Sequence, residues 1–324
     1  MKPSIFATSA DEGGLILWNY NNSSKEIAKV VSLVPTSFRH DNPCAESIAW
    51  SPDGNRLAMA FRDPLDGKGE FCVVRLHQLG LKDSSIQQAI PKSRLTSKVT
   101  TLHPKGISAI DWIPSGSGNQ MTSHKLGTGE VGYNWQVLHR EHKSDIKALC
   151  IHSQRNLIYT GGLDGLVVQY DVNQLQTQVV MERRKPTISR INAVLEHPHN
   201  PNILLVSSLE QAEHNILLHD LRERYRSQQN ATMTLTWADT QSKSTSQYIV
   251  PRWSPAGYHV SCGSKTGVVN IWDVRMRGSK YPTVLPQQSL RLHQKTVLHA
   301  TWHPLYDAIF TVSNDRTIGL TTFR

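Results

Sequence analysis

An apolar strand closed by an aromatic-x-Pro turn recurs along this chain. SIAWSP ends at Pro52, AIDWIP at Pro114, VPRWSP at Pro255 and HATWHP at Pro304, with ALCIHS (148–153) and VLEHP (194–198) as weaker copies. A second marker, the aromatic or substituted position that closes a hairpin, falls at Trp18, near Leu76, then at Trp135, Tyr170, His219, Trp272 and Thr321. Trp18 to Thr321 makes six steps over 303 residues and Trp50 to Trp302 makes five over 252, so each marker returns about every 50 residues. Two independent markers with one period restrict the chain to a repeat architecture. In such a fold one unit cannot bury its apolar face alone and must stack on a neighbour.

The clearest copy is Tyr258–Arg275, YHVSCGSKTGVVNIWDVR. Its arms HVSCG and VVNIW alternate apolar with small or polar residues, the period-2 sign of a half-buried strand. Gly263 and Gly267 bracket the Ser-Lys-Thr-Gly turn, where glycine tolerates a positive φ or a close backbone approach. The markers divide the chain into seven units, about 5–33, 46–79, 103–137, 142–172, 191–222, 247–275 and 293–324, expected to form one domain over 1–324. Between the second and third, LKDSSIQQAIPKSRLTSK (81–98) reads as a polar surface connection.

Composition narrows the class. With 38% apolar residues and 8 Trp the chain can build a core, which excludes disorder. No run approaches the ~18 apolar residues of a membrane span, and MKPSIFATSADEGG lacks the apolar centre of a secretory signal. Cys44, Cys72, Cys150 and Cys262 lie far apart with no CxxC, the usage of a reducing, intracellular protein of nucleus or cytoplasm. The 15 His are scattered, and no metal site or cofactor is expected. Phosphate-loop, nucleophile-elbow, HExxH and EF-hand patterns are absent from the sequence. Gly263–Gly267, GSKTG, is a hairpin turn with no helix after it to present amides to a phosphate. An enzyme is not expected, nor a small-molecule substrate.

The hairpin of Tyr258–Arg275 resembles the core of a WD repeat. That resemblance implies an all-β, seven-bladed WD-repeat β-propeller, with insertions that stretch the usual ~40–45-residue period. A consensus WD repeat carries a His before the first strand, a Ser or Thr in the second, an Asp in the turn and a Trp in the third, joined in a buried hydrogen-bonded set. His142, Thr160, Asp164 and Tyr170 match in position, with Tyr for Trp; His293, Ser313 and Asp315 match three of the four, with Thr321 at the fourth. The sixth unit keeps Ser264 and Trp272 but has Thr266 in place of Asp. Because such His/Asp pairs recur once per blade, a structural set fits them better than an active site. Counting strands gives three in the first blade and three in the last. Residues upstream, a partner strand on an open edge, or a first strand that closes the seventh blade would each account for the difference.

Two blade ends resemble a more specific family. Trp272-Asp273-Val274-Arg275 and His219-Asp220-Leu221-Arg222 are similar to the WDxR boxes of substrate receptors for cullin-4 ubiquitin ligases. The resemblance implies that Arg275 and Arg222, with Asp273, Asp220, Trp272 and His219, meet the ligase adaptor, and that a substrate protein is a further partner. Net charge is +9. Arg183, Arg184, Lys185, Arg224, Arg226, Arg277 and Lys280 follow third strands of successive units and form a candidate basic rim, suited to acidic protein or nucleic acid. Three classes of function therefore stand: a ubiquitin-ligase receptor scaffold, a nucleic-acid or chromatin-associated propeller, and a structural subunit of a nuclear or coat complex.

Overall fold

A computed structural model describes residues 5–9, 15–35, 44–62, 69–75, 87–90, 95–100, 107–112, 138–152, 154–182, 190–210, 213–222, 233–237, 246–275 and 283–323. The alternating stretches fold as strands, 24 among the described residues, and they fall into two compact bodies, Met1–Gln136 and Val137–Arg324.

In the N-terminal body, β1 (Ile5–Ser9), β2 (Leu15–Asn21) and β3 (Glu26–Pro35) form an antiparallel meander. A second meander follows from β4 (Cys44–Trp50), β5 (Arg56–Arg62) and β6 (Gly69–Arg75). The polar stretch 81–98 is not a mere connection. It contains β7 (Gln87–Ile90), which pairs parallel to β3, and most of β8 (Leu95–Thr100), which completes the second sheet beside β6. Outermost strands contact one neighbour and much solvent, so they need few apolar residues and their sequence reads as loop. Leu15, Leu17 and Val31 of the first sheet pack on Leu57, Met59, Phe61, Cys72 and Val74 of the second. Of the third unit only 107–112 is described; it runs beside β4, with the Ile110 amide donating to Ser47 Oγ (3.2 Å) and Trp112 Nε1 to the Ala49 carbonyl (3.0 Å). Its third-strand marker Trp135 lies outside the described residues.

The C-terminal body continues the pattern. β9 (Ile146–His152), β10 (Leu157–Gly162), β11 (Leu166–Asp171) and β12 (Gln176–Glu182) form one antiparallel sheet, ordered β12-β11-β10-β9. The next contains β13 (Arg190–Glu196), β14 (Ile203–Glu210), β15 (Glu213–Asp220) and β16 (Met233–Leu235). A third is built from β17 (Arg252–Trp253), β18 (His259–Gly263) and β19 (Val268–Asp273). After it, β20 (Thr283–Val284) leaves to pair parallel to β16, and β21 (Gln288–Arg291) returns to β19. Finally β22 (Val297–Trp302), β23 (Ala308–Ser313) and β24 (Ile318–Thr322) make a three-stranded sheet. Each sheet buries one face on the next: Tyr159 and Val167 against Ile191 and Val206, Leu218 and Leu235 against Val260 and Trp272, Val269 and Ile271 against Val297 and Ile309. This is how half-buried strands become stable, since a single sheet leaves an apolar face wet.

The β18–β19 turn behaves as its glycines require. Gly267 sits at φ +82, and a Cβ on Gly263 would collide with the Val297 carbonyl of the following sheet. At the equivalent turn position between β23 and β24 the chain has Arg316, also left-handed at φ 68.

Candidate functional site

The hydrogen-bonded set forms at both places where three of its members were expected to recur, with one correction. His142 Nδ1 lies 3.1 Å from Asp164 Oδ1, and its Nε2 lies 2.9 Å from Thr160 Oγ1. Asp164 also accepts the Lys143 and Leu166 amides, at 2.7 and 3.2 Å. Burial pushes the Asp164 carboxyl up, but the Lys143 amide, the His142 ring and the Leu166 amide outweigh it and hold the group below its ordinary value. An ionised Asp164 fixes the proton of His142 on Nδ1. Nε2 of His142 then accepts the Thr160 hydroxyl, whose oxygen accepts Nε2–H of His139 at 3.1 Å. His139 is the member that sequence reasoning missed; burial, followed by the neighbouring His142, lowers its pKa. Tyr170, the expected fourth member, is buried and pairs with Ile158, but it forms no hydrogen bond in this chain of groups among the described residues.

In the last sheet, His293 Nδ1 lies 3.1 Å from Asp315 Oδ2 and its Nε2 lies 2.7 Å from Thr311 Oγ1. The hydroxyl is thus Thr311 and not Ser313, which donates instead to the Lys295 carbonyl (3.3 Å). Spacing gives the reason: His to Thr is 18 residues and His to Asp is 22 in both sheets. Ser313 lies two residues too late. In the sixth unit, Ser264 and Thr266 bond each other at 3.1 Å.

These sets are internal. Exposed chemistry sits at the ends of β15 and β19, where two Asp-x-Arg segments adopt the same geometry. Arg222 folds back on Asp220, donating from its amide (2.9 Å), from Nε (2.9 and 3.2 Å) and from Nη2 (2.5 Å). Arg275 does the same on Asp273 at 2.9, 3.0, 3.2 and 2.6 Å. The Arg275 guanidinium depresses the Asp273 carboxyl to about 2, and Arg222 likewise lowers that of Asp220. The Arg side chains stay 67% and 56% exposed, whereas their carboxylates are 10% and 13% exposed. Arg275 also lies 5.0 Å over the ring of Tyr258, itself half exposed. Each guanidinium is therefore held in one place and still presented to solvent.

The two aromatic positions of these boxes behave differently from their arginines. Trp272 is 0% exposed: its Nε1 donates to the Thr236 carbonyl (2.8 Å), and Trp237 meets it edge-on at 5.2 Å. It holds the box in place from inside and presents no surface to a partner. His219 is half-buried in β15. Arg183, Arg184, Lys185, Arg224, Arg226, Arg277 and Lys280, the candidate basic rim, lie outside the described residues.

A further feature beside the boxes had no place in the sequence reading. His197 Nε2 donates to the Gly257 carbonyl (3.0 Å) while its Nδ1 accepts the amides of His199 and Asn200, both at 3.0 Å. His152 reaches the Pro201 carbonyl in the same way (2.9 Å), and His199 the Pro255 carbonyl (2.8 Å). The turns after β9 and β13 are thus bonded to the turns after β13 and β17. Tyr258, the platform under Arg275, belongs to the third of these turns, and its carbonyl accepts the Val274 amide (2.9 Å). Among the described residues no group of three His, Cys, Asp or Glu could hold a metal ion.

The family described as "WD domain, G-beta repeat" matches residues 135–171, the stretch that carries His142, Thr160 and Asp164. No curated protein sequence matches the chain. Among solved structures, a WD-repeat propeller chain in the crystal structure of a mitotic checkpoint complex superposes with a TM-score of 0.64 at 15% identity, over 98% of this chain and 84% of its own. The fold is an all-β propeller. That fold recurs in 1296 solved chains, so it constrains architecture far more than partner. WD-repeat propellers bind protein partners, and the likeness supports a protein-interaction scaffold.

Proposed function

We propose that this scaffold is a substrate-receptor subunit that docks through Arg222 and Arg275 onto the adaptor of a cullin-4 ubiquitin ligase. The observation behind this reading is the pair of matched Asp-x-Arg clamps on consecutive sheets. Each clamp fixes a long side chain before any partner arrives, which lowers the ordering cost of binding. The carboxylate beneath each guanidinium also sets its plane, which suits bidentate recognition of a partner's carboxylate. An intracellular, reducing setting suits the buried free thiols of Cys72, Cys150 and Cys262.

The test is co-purification of the cullin-4 adaptor with the intact chain and with Arg222→Ala/Arg275→Ala. The double variant is expected to lose the adaptor while keeping its circular dichroism spectrum. Retention of the adaptor by the double variant, or no adaptor with the unaltered chain, refutes the reading.

A further inference from the structure

The β18–β19 hairpin turns over 264–267, and β19 then runs away from that turn to Asp273 and the Arg275 clamp. The turn therefore stands at the end of its sheet opposite the clamp. Two segments of the last sheet meet it there. The Gly267 carbonyl accepts the Leu292 and His293 amides (both 3.1 Å), and the Ser264 carbonyl accepts the Val297 amide (2.9 Å). The Thr296 carbonyl accepts the Asn314 amide (2.9 Å), and the Lys295 carbonyl accepts the Ser313 hydroxyl (3.3 Å). Segments 264–267, 291–297 and 313–317 are thus bonded side by side through their backbones.

Each of them carries exposed cations: Lys265 on the first, Arg291 and Lys295 on the second, Arg316 on the third. Arg291 donates to the Thr266 carbonyl (3.3 Å), and none of Arg291, Lys295 and Arg316 makes an ion pair among the described residues. The one carboxylate on these segments, Asp315, turns inward to accept His293 Nδ1, the Gln294 and Thr317 amides and the Thr317 hydroxyl. Arg252 adds a further cation from within the sheet. Its Nη1 meets only the Pro251 carbonyl (3.3 Å), and its strand reaches the last sheet through the parallel Val250–His299 bridge.

Like charges gathered this closely repel one another, and an anionic partner relieves that repulsion. This chain has no segment of that kind: of its 26 acidic residues only Asp11 and Glu12 are adjacent, and its net charge is +9. A second copy meeting the patch across a two-fold axis presents the same cations. The three segments contain no Phe, Tyr or Trp on which bases could stack. Successive packed sheets lie about 10 Å apart, a distance that an extended chain covers in about three residues.

We propose that the end of these two sheets carrying Lys265, Arg291, Lys295 and Arg316 docks an extended acidic segment of a partner protein, whose carboxylates recur at every third residue. The surface lies at the far end of the sheet from Arg275, so it goes beyond the adaptor reading and does not depend on it.

The probe is a dye-labelled peptide, GEGSEGSEG, which places a carboxylate at every third residue. By fluorescence anisotropy it is expected to bind the full chain saturably at roughly 0.01 M salt, where the Debye length is about 30 Å. Its glutamine version, GQGSQGSQG, is expected not to bind. Carbodiimide coupling of the bound peptide should form amides at Lys265 or Lys295, mapped by mass spectrometry. Lys295→Ala/Arg316→Ala should weaken binding about fivefold, the loss of two exposed ion pairs. The charge-matched control Lys25→Ala/Lys29→Ala should leave it unchanged. The absence of saturable binding overturns the proposal, as does coupling confined to other lysines or an equal loss in the control. Oligothymidylate of matched length that binds more tightly and displaces the peptide also overturns it, since the ligand is then nucleic acid. Adaptor co-purification is expected to be the same with Lys295→Ala/Arg316→Ala as with the unaltered chain, so the two readings fail separately.

Discussion

Thr160→Val tests the buried chain of hydrogen bonds most directly. Thr160 is 7% exposed, and its hydroxyl joins His142 Nε2 (2.9 Å) to His139 Nε2 (3.1 Å). Valine keeps the β-branched shape favoured in a strand and leaves no large cavity, so the loss is almost purely polar. Two buried nitrogens lose a partner at about 1–3 kcal/mol each, partly offset by the gain from burying a methyl in place of a hydroxyl. The expected destabilisation is about 2–5 kcal/mol. Thr311→Val is the internal comparison, because Thr311 serves only His293 Nε2 among the described residues (2.7 Å); one orphaned nitrogen predicts about 1–3 kcal/mol. The ratio of the two losses, near two, is thus the quantity read from the structure. Two bodies do not guarantee a single two-state transition, so the measurement is native-state hydrogen exchange of β10 and β23 as a function of urea. If Thr160→Val lies within 0.5 kcal/mol of the unaltered chain, or costs no more than Thr311→Val, the hydroxyl bridge is not what ties the sheet.

Acid stability follows from the carboxylates. The Asp273 group, held at about 2 by Arg275, and those of Asp220 and Asp164, also lowered, bind protons less readily folded than unfolded. Their contribution is complete above the unfolded value of about 3.9 and is lost as pH falls towards 2. Asp273→Asn should flatten that part of the stability–pH curve, as followed by urea midpoints, and an unchanged slope would count against the clamp. Arg316→Gly should raise stability by about 0.5–1 kcal/mol by relieving a left-handed arginine, read as a higher urea midpoint; a lower midpoint would mean that the Arg316 side chain contributes more than its backbone costs.

Period and alternation carried most of the fold, because a half-buried strand must alternate and a stacked repeat must recur. His142, Thr160 and Asp164 were legible from the resemblance to a WD repeat, whose consensus places a His, a hydroxyl and an Asp there. The counterpart of Thr160 slipped by two residues because Thr311-Val312-Ser313 offers two hydroxyls on the same face of a strand, and only the 18-residue step from the histidine separates them. His139 left no such trace, since it reaches Thr160 from outside the repeating pattern. The strands β7 and β8 were hidden by their polarity. The parallel pairing of β7 and β20 is set by contacts about 50 residues distant in sequence, for which local composition has no signal. The Asp-x-Arg clamps were readable as chemistry, but only the packing of Trp272 under Trp237 assigns the tryptophan to the interior and the arginine to the surface.

The donated strands also order events in time. The outer edge of β3 is complete by Pro35, yet its cover begins at Gln87; that of β16 is complete by Leu235, and its cover begins at Thr283. On a ribosome adding ~5–20 residues per second, each edge stays open for roughly 3–10 s. During that interval it can pair with any extended segment nearby. Chaperone dependence during synthesis should therefore rise just after each of these two sheets emerges and fall when the next unit delivers its strand.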